Sequence, residues 1–233
     1  MIEPGRVRFM SLAVLFEGGL VFVALGLGWL FRIDVLGGLR PSAAAAVAGL
    51  VAAVPPFVLL LATERIRFGP LERIKELVLE TLGPSLAACK WYDVVLLATL
   101  AGFGEELLFR GVVQVLIERW AAGWTTSGDW SWAAGLILSN VIFGLLHFIT
   151  PTYAVLAGLM GVYFGLLLNV TGSHSLLAPI LAHGLYDYLA FLVLIRATAS
   201  SRPVGPDRHA SAGAASNQTD ERRSAIDEGN PKP

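Results

Sequence analysis

The sequence is short of charge and almost free of cysteine. Only 15% of its 233 residues are Asp, Glu, Lys or Arg, whereas a water-soluble domain carries about a quarter. That deficit argues against an ordinary soluble domain for most of the chain. Cys89 is the sole cysteine, so neither an intramolecular disulfide nor a thiolate metal cage can form. The net charge of -1 offers no basic surface of the kind nucleic acid needs, and no nucleic-acid partner is expected. No sequence repeat of 20–50 residues is present, which excludes a solenoid.

What the chain has instead is apolar residues, 55% of the total with a mean hydropathy of +0.65. They are unevenly spread. Residues 1–196 are apolar with short polar breaks. Residues 197–233 are rich in Ser, Ala, Pro and Gly and cannot bury enough surface to offset the entropy of ordering. The expected organisation is a membrane domain over 1–196, with its motif-bearing core at 92–195, and a disordered cytoplasmic tail over 197–233. Arg6 and Arg8 followed by the apolar run 9–31 resemble a signal sequence. The run is too long for a signal core and no small-residue cleavage site follows, so it reads as a retained span.

A membrane helix needs ~20 mostly apolar residues. Six stretches qualify: 9–31, 42–62, 92–116, 132–148, 152–170 and 176–195. The fold class is therefore all-α, a polytopic transmembrane bundle of about six spans. Between the second and third spans, Leu71, Ile74, Leu77 and Val78 recur at helical spacing. They predict an amphipathic helix on the membrane surface, with a soluble connecting helix as the alternative. Arg6, Arg8, Arg65, Arg67, Arg73, Lys75, Lys90, Arg196, Arg202 and Arg208 are expected on one side. Arg32, Arg40 and Arg119 fall on the other. This asymmetry predicts both termini in the cytoplasm and a location in the inner (plasma) membrane. Trp120, Trp124, Trp130 and Trp132 suit an outer headgroup region. Lipid is the surrounding partner; oligomeric state is open, and Gly161 and Gly165 on the fifth span suit helix packing.

Ionisable groups inside a span cost at least ~2.5–3.5 kcal/mol each on insertion scales, so those that occur are functional candidates. The third span carries Glu105, Glu106 and Arg110. Glu106 and Arg110 are spaced i,i+4 and can pair on one face. Glu105 projects roughly 100° away, free for chemistry. A structural ion pair with a spare carboxylate in a water pocket is the plainer reading. Gly102, Gly104 and Gly111 leave room for neighbouring helices. The fourth span carries Asn140, Phe143, Gly144 and His147 on one stripe. The sixth carries His183 and Asp187, again i,i+4; such a pair can ligate a metal, orient a water or bond to itself. Tyr186 reads as packing and His174 as a loop residue. Burying these groups separately would be costly three times over, and convergence on one hydrated cavity lets them compensate one another. At ~1.5 Å per residue, Glu105 and His183 lie about 20 and 18 Å from the same end of the bundle. His147 comes out closer to the cytoplasmic surface, so the site is expected to open there.

Glu105-Glu106-x-x-Phe109-Arg110, Phe143-x-x-x-His147 and His183-x-x-x-Asp187, in this order on separate spans, resemble the three motifs of the CPBP family. These are the CAAX-prenyl-protease and bacteriocin-processing (Abi) intramembrane proteases. The resemblance covers roughly 92–195, and the first two spans read as generic membrane helices. It implies an all-helical intramembrane endopeptidase acting on a membrane-associated peptide or protein. Glu105 and His147 would activate a water, His183 and Asp187 would stabilise the oxyanion, and Glu106 and Arg110 would support them. An ionised aspartate cannot donate to an oxyanion as asparagine can; Asp187 departs from one version of the pattern and could instead orient His183. Zinc at Glu105, His147 and His183 matches an open catalytic site, beside a metal-free glutamate mechanism. Two other readings share the same residues: a catalytically silent membrane binding or immunity protein, and a proton- or metal-coupled transporter. Against the latter, the polar groups cluster at one depth.

Overall fold

A computed structural model describes residues 4–172 and 174–201. Among these residues every regular element is helical. The chain forms α1 (Pro4–Phe31), α2 (Ala43–Ala52), α3 (Val54–Thr63), α4 (Gly69–Thr81), α5 (Gly83–Ala87), α6 (Trp91–Leu108), α7 (Gln114–Ala122), α8 (Gly128–Leu146), α9 (Pro151–Leu166) and α10 (Leu177–Ser201). The last helix continues past the expected domain boundary at 196. The rest of the expected tail, 202–233, lies outside the described residues.

Five stretches are long and apolar enough to cross a membrane: Gly5–Phe31, Ala43–Thr63, Gly128–Leu146, Pro151–Asn169 and Leu177–Ser201. The protein is a multi-pass helical membrane bundle. The expected third span fails that compositional test because α6 carries Asp93, Glu105 and Glu106. Its backbone is nevertheless continuous. The 18 residues of α6 pass into a five-residue π segment, Phe109–Val113, and then into the nine of α7. The second span is bent rather than straight. Ser42 caps α2, its hydroxyl accepting from the Ala45 amide at 3.0 Å. Pro55 and Pro56 then sit in the first turn of α3, the helical position that tolerates a missing N–H.

Three contacts fix α1 beside α6 and α7. The Arg6 guanidinium makes a forked pair with Asp93, at 2.6 and 2.8 Å. The Glu17 carbonyl lies so near Gly104 that a Cβ there would be 2.6 Å away. Arg119 donates to the Phe31 carbonyl at 2.9 Å. The sequence separation is 87 or 88 in the outer pairs, and Glu17 with Gly104 falls on the same offset. The two helices therefore run parallel, in register, along their length. On another side of α6, Gly102 meets α10 backbone to backbone: an added Cβ would come 2.6 Å from the Gly184 nitrogen. Only glycine permits that approach.

Helices α8 and α9 form an antiparallel hairpin, tight where Gly144 meets Ala154 and Gly158. Thr150 caps α9 by accepting from the Tyr153 amide at 3.1 Å. Helix α4 matches the expected amphipathic segment. Ile74 is buried, Leu71, Leu77 and Val78 are half-buried, and Glu72, Arg73 and Glu76 are exposed. Its start and residues 149–152 of the hairpin turn frame an open cavity of about 440 Å³.

Candidate active site

The polar residues of α6, α8 and α10 meet at one place. Its buried side is a chain of paired groups. Arg110 Nη1 faces Glu106 Oε1 at 3.1 Å, both side chains fully enclosed. Arg110 Nη2 donates to Asn140 Oδ1 at 3.0 Å and to the Gly161 carbonyl. Asn140 in turn donates to the Leu136 carbonyl at 2.7 Å. The guanidinium also lies 5.2 Å from the centroid of the Phe143 ring, a cation–π distance. Gly161 is needed here, because a Cβ would collide with the Asn140 side chain. The π segment surrounds Arg110; its closing bond runs from the Gln114 amide to the Phe109 carbonyl. Such widened turns recur at functional sites.

The link from this buried side to the open one is His183. Its Nδ1 is 2.8 Å from Glu106 Oε1, and its ring stacks on Phe164 at 4.8 Å and 17°. The ring is thus held on one face and at one nitrogen. Nε2 points to the other side, 3.8 Å from Glu105 Oε2 and 3.5 Å from Asp187 Oδ2. His147 approaches the same carboxylate from α8, with Nε2 3.8 Å from Glu105 Oε1. Its Nδ1 is 2.9 Å from the Phe143 carbonyl. A carbonyl only accepts, so Nδ1 carries the proton and the neutral ring presents its lone pair at Nε2.

Glu105 therefore sits between two imidazoles, one at each oxygen, at distances longer than a direct hydrogen bond. Its Oε2 is buried without a hydrogen-bond partner among the described residues. Side-chain exposure rises from 7% at His183 and 10% at Glu105 to 20% at Asp187 and 31% at His147. The site opens past Asp187 and His147, towards the end of the bundle where Arg6 and Asp93 pair.

The expected depth mismatch of His147 is absent. Helix α8 ends at Leu146, and the chain turns back at Thr150 and Pro151. The hairpin turn thus lies at the level of Glu105, about 20 Å along α6 from its start at ~1.5 Å per residue. His147 occupies the C-cap of α8 rather than its body. Tyr186 packs in the apolar cluster around Phe164, Ala178 and Ala182, as expected. His174 is half-buried and 3.1 Å from Asn169 Oδ1.

One residue passed over in the sequence belongs here. Glu17 of α1 has a buried Oε2 without a hydrogen-bond partner among the described residues. It lies within electrostatic reach of Glu105, Asp187, His183 and His147. The signal was present: Glu17 is the only ionisable residue in the apolar run 9–31.

Among the described residues no group of three or more His, Cys, Asp or Glu side chains is placed to hold a metal ion. The two imidazoles address opposite oxygens of Glu105, and His183 Nδ1 is taken by Glu106. No step below runs through a metal.

An enclosed glutamate flanked by two histidines, in a multi-pass helical bundle, defines a membrane protein with a hydrolase-like polar site. Residues 87–189 match the family model of type II CAAX prenyl endopeptidase Rce1-like proteins. That segment, under half of the chain, is similar to the CAAX protease (CPBP) family, in line with the motif resemblance. No curated protein and no solved structure matches the chain significantly.

Proposed function

We propose that this protein is an intramembrane endopeptidase that cleaves a membrane-associated peptide or protein, with Glu105 as the general base. The observation that carries the reading is the position of the Glu105 carboxylate, flanked by His147 and His183 Nε2 at 3.8 Å each, with Oε2 left unpaired. Glu105 and the lone pair of His147 Nε2 take the proton of an attacking water. The carbonyl carbon of the scissile bond gains the water oxygen, and negative charge collects on the former carbonyl oxygen. His183, carrying a proton on Nε2, donates to that oxyanion. Glu105 then returns the proton to the departing amine.

Glu106 and Arg110 do not touch substrate in this scheme. They hold His183: Arg110 fixes Glu106, and Glu106 accepts from His183 Nδ1. Asp187, 3.5 Å from His183 Nε2, acts by orienting that ring. In that role an ionised aspartate need not donate to the oxyanion. The positive-inside asymmetry and the opening of the site both suit access from the cytoplasmic side of the plasma membrane.

The test is cleavage of a peptide library by the purified protein in detergent, with and without chelator. Glu105→Gln should lower kcat by about 10²–10⁴-fold, the usual worth of a general base, while the protein stays folded. Undiminished turnover in that variant would sink the proposal. Activity abolished by chelator and restored by zinc would replace the metal-free scheme.

A further inference from the structure

Glu17 is a charge without an assigned task. Helix α1 otherwise shows almost all of its surface outward, and nothing in its packing requires a carboxylate. The backbone at Glu17 rests on Gly104, which sets its side chain level with Glu105. The forked Arg6–Asp93 pair locks that register, so the level is not free to slip. Glu17 makes no hydrogen bond or ion pair among the described residues, and its Oε2 is shielded from solvent.

The cations of the site are already engaged. Arg110 is held by Glu106, Asn140 and the Gly161 carbonyl. His183 lies between Glu106 and Glu105, and His147 addresses Glu105. Four carboxylates, Glu17, Glu105, Glu106 and Asp187, thus face one guanidinium and two imidazoles. A like-charged carboxylate beside Glu105 in a low-dielectric setting is repulsive until a proton or a cation from outside the chain neutralises it. A substrate can bring one.

We propose that Glu17 is a specificity-determining residue that pairs with a positively charged side chain, Lys or Arg, next to the scissile bond of the substrate. The inference rests on the endopeptidase reading and deepens it. The Glu17 carboxyl group, the one acidic side chain of α1, lies within electrostatic reach of Glu105 and Asp187. A basic side chain entering there trades its hydration for Glu17, and its backbone is brought alongside Glu105.

The experiment uses two peptides identical except for lysine or acetyl-lysine beside the cleaved bond. The wild-type protein should favour the lysine peptide in kcat/KM, chiefly through KM. Glu17→Gln should collapse that preference by about 10- to 100-fold, the range expected for losing a charged hydrogen bond. Glu17→Asp, which keeps the charge, should retain part of it. Glu17→Lys should turn the preference towards a glutamate peptide. A parallel arm measures affinity for the same fluorescent peptides in the Glu105→Gln background, with and without Glu17→Gln. A wild-type protein that cleaves neither peptide counts against the endopeptidase reading, and the binding arm still decides the inference. Equal discrimination with Glu17 and with Glu17→Gln, or no binding of either peptide, overturns it.

Discussion

Glu105 and Glu106 are neighbours in sequence, yet they occupy opposite kinds of environment. Glu106 is fully enclosed, 3.1 Å from Arg110 and 2.8 Å from His183. Glu105 has two imidazoles near it at 3.8 Å and no direct hydrogen bond to either, although both carboxylates leave Oε2 buried and unpartnered among the described residues. The ~100° step between adjacent helical residues is what separates them: Glu106 faces Arg110 and His183, and Glu105 lies between His147 and His183. The lesson is that the same side chain serves as an anchor where its partners are within hydrogen-bond range. Where they stop short it is left free for the general-base role proposed for Glu105.

The largest expected effect tests that contrast directly. The same Glu→Gln change at the two positions should give opposite profiles. At Glu105 it should cost about 10²–10⁴-fold in turnover and leave the unfolding midpoint in place. At Glu106 it should leave Arg110 buried without its counter-ion and destabilise the protein by about 3–5 kcal/mol, read by thermal or denaturant unfolding in detergent. Matching profiles at the two positions would break the comparison.

A smaller effect is expected from Asn140→Ala. It removes an acceptor of the guanidinium and a bond to the Leu136 carbonyl. The loss should be about 1–3 kcal/mol of stability, the usual cost of unpairing a buried polar group. Activity should fall only as far as His183 is disturbed. Combined with Glu106→Gln, the two losses should be non-additive, because they act on the same guanidinium.

The smallest effect should come from Asp187→Asn. If Asp187 orients His183 rather than taking part in proton transfer, turnover should change by about 2- to 10-fold, the worth of one hydrogen bond. A fall as large as that of Glu105→Gln would make Asp187 a direct participant and move it to the reactive side of the comparison.

Much of the site was legible because motif spacing on a helix is a statement about faces. Glu106 with Arg110 and His183 with Asp187 are i,i+4 pairs, and both pairs are close in space. Asn140 and Phe143 share a stripe, and both contact Arg110. The bond from His183 to Glu106 was not legible, since it joins helices 77 residues apart in sequence. Nor was the depth of His147. Span length predicts where a helix could end in a membrane, but Thr150 and Pro151 turn the chain earlier, at the level of Glu105. Glu17 stood out as a lone carboxylate in an apolar run, but nothing in the sequence said what it faced.

The sequence by itself determined that this is an all-helical, multi-pass membrane protein. Long apolar runs leave the backbone no other way to satisfy its hydrogen bonds in lipid. It also determined which residues share a helix face, because 3.6 residues per turn is a local rule. Only the tertiary structure decided how the faces meet. It set α1 in register with α6, carried His147 to Glu105 and brought His183 Nδ1 to Glu106. The physical reason is that packing between helices depends on glycine contacts such as Gly102 with Gly184 and on ion pairs such as Arg6 with Asp93. These join residues that local periodicity cannot connect.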